Sequence, residues 1–433
     1  MRLTLRFLLP CHSQLDWESR FWIPDQVGDD REEKKIMNDN NKKTIAVLFG
    51  GKSPEHEVSV ITGLQVLENL DQTKFTGVPV YVAKDGRWFT SDFARSIENY
   101  KKLEDVISNS KEVILARLDS KVCLKSASKK IFSGGKNIQV DVIFPAFHGG
   151  LGENGGIQGL IENFDLPYVG SGILGSALGM DKVVMKQIFE YTNLPIAKYL
   201  WFWRTDLENK HVEIIQKIEH ELKYPIFVKP SSAGSSIGIH KVENYQELAN
   251  ALEVAAVFDN KIIIEEGFEN AREINISVIG NSGWSLETSV CEEVFAKGQF
   301  LDYQDKYVSG SKNSAGMAST SRKIPAEISA SIVEKITDMA KLAFEALNCA
   351  GLVRIDFLYR EKDKKIIILE VNTIPGSMAY YLWETSGLKF SDMISKLIDL
   401  AENRHTDQQK NTTTFSSNIL ENFKSGLKSG AKS

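Results

Sequence analysis

Apolar runs that end in glycine turns alternate with longer amphipathic stretches through most of the chain, the order expected of an α/β protein, α+β in part. TIAVLFGG (44–51) is a strand-length apolar run stopping in a glycine turn, and Ser53-Pro54 then reads as a helix start, serine as N-cap and proline in the first turn. VPVYVAK and DVIFPAFHGG supply further strands, and GSGILGSALGMDKVVMKQIFEYTN reads as a glycine turn entering a helix. This block, 44–181, has the pattern of a Rossmann-like open sheet. A second block, 182–273, holds the strand YPIFVKP, the small-residue loop SSAGSSIGI and the buried strand KIIIEEGF. A third, 274–402, runs from EINISVIG to a helix near FSDMISKLIDLAEN.

The two ends break the pattern. MRLTLRFLLP is too short for a signal-peptide core and lacks a small-residue cleavage site. With the aperiodic VGDDREEKK behind it, residues 1–43 read as a disordered extension or a mis-assigned start, with Met37 as the alternative initiator. Residues 403–433, rich in Lys, Ser, Thr and Asn, are expected to fray. The net charge of −5 offers no basic field for nucleic acid or an anionic membrane. No apolar run approaches the roughly 18 residues of a membrane span. Cys11, Cys123, Cys291 and Cys349 lie far apart and form no CxxC pair, which suits a reducing, cytoplasmic setting.

The densest chemistry lies in GLVRIDFLYREKDKKIIILEVNTIPG (351–376), two apolar strands around the turn REKDKK. Alternation puts Arg354 and Asp356 on one face, and Glu370 and Asn372 likewise share a face. A hairpin symmetric about Asp363 sets Asp356 opposite Glu370 and Arg354 opposite Asn372. Two facing carboxylates repel unless a cation lies between them, and Asp, Glu and Asn supply oxygen ligands suited to Mg²⁺. Arg354 beside them suits a phosphate or a developing oxyanion. The bland alternative is a solvated face with an Arg–Asp pair, which the apolar neighbours disfavour.

Other positions are weaker alone. Lys229 ends the strand YPIFVKP beside a loop whose small residues let backbone N–H groups approach phosphates. Lys182 sits early in its helix, and Ser235 and Ser236 either bind phosphate or substrate or fill a turn. Glu265 and Glu266, before Gly267, read either as a nucleotide hinge or as a strand end facing water. Glu55 either favours a helix dipole or accepts a substrate ammonium. His148 and Glu153 flank the glycine-rich HGGLGENGG, and residues 300–326 form a long polar loop with Lys306 and Tyr307 as its chemical groups.

In order, GGKSPEHEVS, FPAFHGGLGENGGIQG, VGSGILGSALGMDK, PIFVKPSSAGSSIGI, DYQDKY and VRIDF…LEVNTIPG closely resemble the D-alanine–D-alanine ligases of the ATP-grasp superfamily over 44–402. The resemblance implies an ATP-grasp fold with an N-terminal Rossmann-like domain, ATP as co-substrate and two Mg²⁺ or Mn²⁺ ions. By position, Lys182 and Lys229 match the lysines on the ATP phosphates, residues 265–268 (Glu265, Glu266 and Phe268 among them) the adenine hinge, and Glu273 the ribose acid. Asp356, Glu370 and Asn372 match the metal ligands. Glu55 matches the acid on the first D-alanine's ammonium, with Ser235 and Tyr307 as its partners and Lys306 reaching the transferred phosphate. Arg354 and the backbone of Gly376 match the oxyanion donors, and His148 joins the substrate side.

One departure stands out. Many members grip the second substrate with a Ser-Leu pair, whereas this chain has Tyr381-Leu382 there. Acceptor identity is therefore open: dipeptide, D-alanyl–D-lactate or another carboxylate–amine product, with a nucleotide-binding regulator lacking catalysis as the non-enzyme alternative. Tyr307 favours an amine acceptor, and the resemblance suggests a homodimer.

Overall fold

A computed structural model describes residues 42–127, 137–295 and 322–417. Among these, the strands form three sheets. The first contains β1 (Lys43–Gly50), β2 (Phe75–Val82), β3 (Trp88–Thr90), β4 (Lys111–Leu118), β5 (Lys121–Ser126), β6 (Ile138–Gln139) and β7 (Val142–Pro145), in the order β6-β5-β4-β3-β2-β1-β7. Only β2, β1 and β7 run parallel; the strands from β3 outward form an antiparallel meander. The expected Rossmann-like pattern is thus confined to three strands. α1 (His56–Asn69) lies so close on β1 that a Cβ at Gly63 would meet the Phe49 ring at 2.4 Å.

α1 starts later than Ser53-Pro54 predicts. Glu55 is its N-cap residue, and the Ser53 hydroxyl accepts the Glu55 N–H at 3.0 Å, closing a turn ahead of the helix. The block also carries α2 (Leu103–Ser108), α3 (Gly156–Glu162) and α4 (Ile173–Met180). The long helix expected through GILGSALGMDKVVMKQIF is broken: α4 stops at Met180, and α5 (Lys182–Tyr191) restarts after Asp181. The Asp181 carboxylate accepts from the N–H groups of Val183 and Val184 at 3.0 and 3.1 Å.

The second sheet has the order β10-β9-β11-β8, from β8 (Tyr199–Trp203), β9 (Ile226–Pro230), β10 (His240–Val242) and β11 (Lys261–Glu266). α6 (Arg204–Glu221) and α7 (Tyr245–Phe258) cover one face, burying Ile215, Ile218, Leu252 and Ala255.

The third sheet is antiparallel: β12 (Arg272–Asn281), β13 (Glu287–Thr288), β14 (Glu292–Val294), β15 (Arg322–Lys323), β16 (Ala350–Arg360) and β17 (Lys365–Asn372). Val353, Ile355 and Phe357 face α8 (Ala330–Ala346) in a core with Ile336 and Phe344, so alternation turns Arg354 and Asp356 to the other side. The chain continues through α9 (Tyr380–Thr385) into α10 (Phe390–Gln408), so residues 403–408, expected to fray, are helical. Arg404 ties this last turn down by donating to the Tyr168 carbonyl at 3.0 Å. The expectations for residues 1–41, the lid positions Lys306 and Tyr307, and the last residues from 418 lie outside the described residues.

Candidate active site

β16 and β17 pair as the sequence predicts: Asp356 lies opposite Glu370, and Arg354 opposite Asn372. The symmetric hairpin is not the reason. From the turn, the ladder runs Arg360–Lys365 to Phe357–Ile368, a register that would set Asp356 against Leu369. A β-bulge leaves Leu369 as an extra residue and brings Glu370 opposite Asp356. Leu369 and Glu370 then both line the cleft, which strict alternation forbids. The Arg–Asp pair of the bland reading is present but buried rather than solvated. Arg354 grips Asp356 through Nε–Oδ1 at 2.6 Å and Nη2–Oδ2 at 2.7 Å, with the residues 7% and 2% exposed. Asn372 Nδ2 also donates to Asp356 Oδ2, at 3.0 Å.

A cavity of about 740 Å³ opens beside this row, large enough for a nucleotide-sized ligand. Lys229, Ser236, Glu265, Glu266, Phe268 and Glu273 line it, together with Asp356 and Glu370. Glu265 does not face water. It is 3% exposed, with Oε2 accepting from Lys229 Nζ at 2.9 Å and Oε1 3.3 Å from Lys186 Nζ. Burial alone would raise its pKa, but the two ammonium groups hold it down to about 2. Lys186 is a residue that sequence reading missed. It is 1% exposed, and its only sequence signal is the four-residue spacing from Lys182, which puts both lysines on one helix face. Lys182 lines neither cavity described here; its Nζ donates to the Ala233 carbonyl at 2.8 Å and stands 3.6 Å from Glu370 Oε2.

A second, smaller cavity of about 70 Å³ adjoins it and shares Glu273 and Glu370 with it. Glu55, His148, Ser235, Arg354, Asn372, Gly376 and Tyr381 line it. Ser235, in the β9–β10 loop, donates its hydroxyl to Glu55 Oε1 across 180 positions of sequence. Leu382, by contrast, is fully buried and does not line the cavity. Glu153 also lines it, its oxygens accepting the N–H groups of Gly149 at 2.8 Å and Ile374 at 3.3 Å. Burial and the neighbouring Glu55 charge raise Glu153 to about 7. Burial also lowers His148, to about 4, so its imidazole is neutral at pH 7.

The turn after β17 is unusual. Ser377, Met378 and Ala379 all have positive φ, at 51°, 53° and 44°. Such a left-handed run costs roughly 1–2 kcal/mol per residue and persists only when the surroundings hold it. Thr62 on α1 does so: its Oγ1 accepts the Ser377 N–H at 3.2 Å and bonds His148 Nε2 at 2.8 Å.

Two antiparallel sheets flanking a nucleotide-sized cleft, one carrying Lys229 and Glu265 and the other facing carboxylates, define an ATP-grasp ligase. Two family profiles match the chain: D-ala D-ala ligase N-terminus over residues 44–171 and D-ala D-ala ligase C-terminus over 188–399. The D-alanine–D-alanine ligase of Staphylococcus haemolyticus is 41% identical over 379 residues, covering 86% of this chain and 99% of that protein. The Acetivibrio thermocellus ligase is 39% identical over 381 residues, covering 86% and 98%. Among solved structures, the D-alanine–D-alanine ligase from Coxiella burnetii superposes with a TM-score of 0.71 at 26% identity, covering 86% of this chain and 97% of that one. The VanG D-Ala:D-Ser ligase from Enterococcus faecalis gives 0.69 at 33% identity, covering 83% and 99%. The chain belongs to the D-alanine–D-alanine ligase family. It is an ADP-forming enzyme.

Proposed function

We propose that the chain joins two D-alanine molecules into D-alanyl-D-alanine through an acyl phosphate, at the expense of ATP, for peptidoglycan precursors. The observation that carries this is the placement of Arg354, Asp356, Glu370 and Asn372 on one sheet face, between a nucleotide-sized cleft and a cavity containing Glu55.

ATP occupies the larger cavity. Its base meets the hinge from Glu265 to Phe268, its ribose Glu273, and its phosphates Lys182, Lys229 and the loop with Ser235 and Ser236. Asp356, Glu370 and Asn372 suit two magnesium or manganese ions, because carboxylate and amide oxygens are hard donors. Among the described residues no three His, Cys, Asp or Glu side chains form a metal cage; this donor set has only two carboxylates and needs phosphate oxygens to complete it. The ions, when bound, neutralise the triphosphate's charge.

Glu55, fixed by Ser235, holds the first D-alanine's ammonium, with His148 neutral beside it. Its carboxylate attacks the γ-phosphoryl group, giving ADP and an acyl phosphate. The second D-alanine's amine attacks that carbonyl, Arg354 and the Gly376 N–H stabilise the oxyanion, and phosphate leaves. Lys306 and Tyr307 are assigned to the transferred phosphate and to closing the site against water, which would otherwise hydrolyse the acyl phosphate. Tyr381 and Leu382 are assigned to the acceptor end. We further propose a cytoplasmic homodimer; exposed Leu151, Ile173 and Leu174 around α3 and α4 supply an apolar face for it. Among the described residues no helix is long and apolar enough to cross a membrane.

The test is phosphate release from ATP and magnesium with D-alanine, D-serine, L-alanine or D-lactate, with the product identified by mass. D-alanyl-D-alanine is expected as the main product. ATP binding without phosphate release on any substrate would sink the proposal.

A further inference from the structure

The turn that carries Gly376 is gripped from both sides by side chains of the first sheet's block, a grip that the mechanism above leaves without a task. On one side, Glu153 Oε1 accepts the Ile374 N–H at 3.3 Å while its Oε2 accepts the Gly149 N–H at 2.8 Å. On the other, Thr62 Oγ1 accepts the Ser377 N–H at 3.2 Å and lies 2.8 Å from His148 Nε2. Gly376 sits between the two held residues and lines the smaller cavity.

The protons in this network follow from its partners. His148 also has a hydrogen bond with the Ile374 backbone that favours the protonated ring, so the ring donates and the Ile374 carbonyl accepts. Burial keeps the imidazole neutral at pH 7, which leaves it a single N–H to give. Nε2, facing Thr62, is then the acceptor. The Thr62 hydroxyl donates to it, and the Thr62 oxygen is left to receive the Ser377 N–H. The bonds thus run from Ser377 through Thr62 and His148 to Ile374, closing a ring around Gly376. Thr62 is fully buried and His148 is 4% exposed, so water does not compete for these bonds.

The backbone explains why a clamp is needed. Ser377, Met378 and Ala379, none of them glycine, are all left-handed directly after Gly376. Strain of this kind relaxes when its anchors go, and the neighbouring amide turns with it. Ile374 and Met378 are buried in the core shared with α1 and α10, so the segment stays docked even without its polar anchors. What the polar anchors set is direction.

We propose that Thr62 and His148 are positioning residues that aim the Gly376 N–H at the oxyanion of the second step, an inference that rests on the ligase reading. Phosphoryl transfer to the first D-alanine forms no tetrahedral carbon and makes no use of this amide. In the second step the amine's lone pair forms the C–N bond and the carbonyl pair moves onto oxygen. Its return breaks the bond to phosphate, which leaves as hydrogen phosphate with the proton shed by nitrogen. Only this step needs the amide aimed.

The test uses the full chain with Mg-ATP and D-alanine, in rapid-quench single turnovers that follow ADP and dipeptide separately. Thr62→Val keeps the side chain's volume and removes its hydroxyl; His148→Phe keeps a flat ring and removes both nitrogens. Each is expected to slow dipeptide formation about 10- to 100-fold, the scale of a misdirected oxyanion donor, while ADP forms within about twofold of the parental rate. Thr62→Ser restores the hydroxyl without the methyl. It should keep the dipeptide rate within about threefold of the parent, although the lost buried methyl lowers its melting temperature. A purely structural role instead slows ADP and dipeptide together and makes the rates follow the melting temperatures. That pattern, or Thr62→Val and His148→Phe turning over like the parent, overturns this inference alone. No dipeptide from the unaltered chain overturns the ligase reading as well.

Discussion

Asp356 faces Glu370 because Leu369 is inserted between two registers of the same hairpin. Without the extra residue, the register set at the turn would bring Leu369 to Asp356 and send Glu370 toward the core face. The bulge thereby gives the cleft an apolar wall and a carboxylate from adjacent residues.

Glu370→Gln is accordingly expected to lower kcat by more than roughly 100-fold, beyond the usual cost of losing a group that merely supports a metal ligand. Leu369→Ala should instead raise the ATP KM several-fold with kcat nearly intact. Steady-state rates at varied ATP and magnesium distinguish the two, and equal behaviour of the variants would remove the division of labour.

Gly234 lies against the same carboxylate that Ser235 holds. A Cβ there would fall 2.4 Å from Glu55 Oε2. The obstructing atom is a side-chain end that can swing away, so Gly234→Ala should fold normally. Displaced, Glu55 can no longer hold the first ammonium in place, and the first D-alanine KM should rise about 10-fold or more. A melting temperature within a few degrees of the parent and an unmoved ATP KM would show that the change is local.

Glu265 couples the nucleotide cleft to acid stability. Its pKa is about 2 when folded against an ordinary 4.5, so its contribution is complete above about 4.5 and is lost as pH falls toward 2. Glu265→Gln leaves Lys186 and Lys229 without their shared counter-charge, at a cost of about 3–5 kcal/mol at pH 7. Urea unfolding at pH 7 and pH 3 should show the gap between parent and variant narrowing in acid.

Glu153 has the opposite sign. Its folded pKa of about 7 lies above the ordinary 4.5, so the folded state binds its proton more tightly. The associated stability is fully present below about 4.5 and declines as pH rises to 7. The stability advantage of the parent over Glu153→Gln should therefore shrink between pH 5 and pH 8. A constant difference across that range would contradict the assignment.

What the sequence disclosed depended on how local the pattern was. Lys229 and Glu265 belong to neighbouring strands of obvious apolar character, and the hairpin pairs Asp356 with Glu370 over a short turn. Even there the right pairs came from a wrong centre, since no residue type announces the bulge at Leu369. The β12–β14 pairing that brings Asn275 to Glu292 was out of reach: β13 and an irregular stretch lie between, with no turn symmetry to fix a register. The helix start misplaced at Ser53-Pro54 has a similar cause, because a serine that closes a turn and one that caps a helix look alike along the chain.

The Ser235–Glu55 hydrogen bond joins a loop assigned to phosphates with a residue assigned to the first amino acid. Such a link imposes reciprocity. If nucleotide settles the serine loop and thereby readies Glu55, a seated amino acid must tighten nucleotide binding by the same factor. Calorimetry with a non-hydrolysable nucleotide, with and without D-alanine, would measure that shared factor from both directions, and Ser235→Ala should bring it close to one.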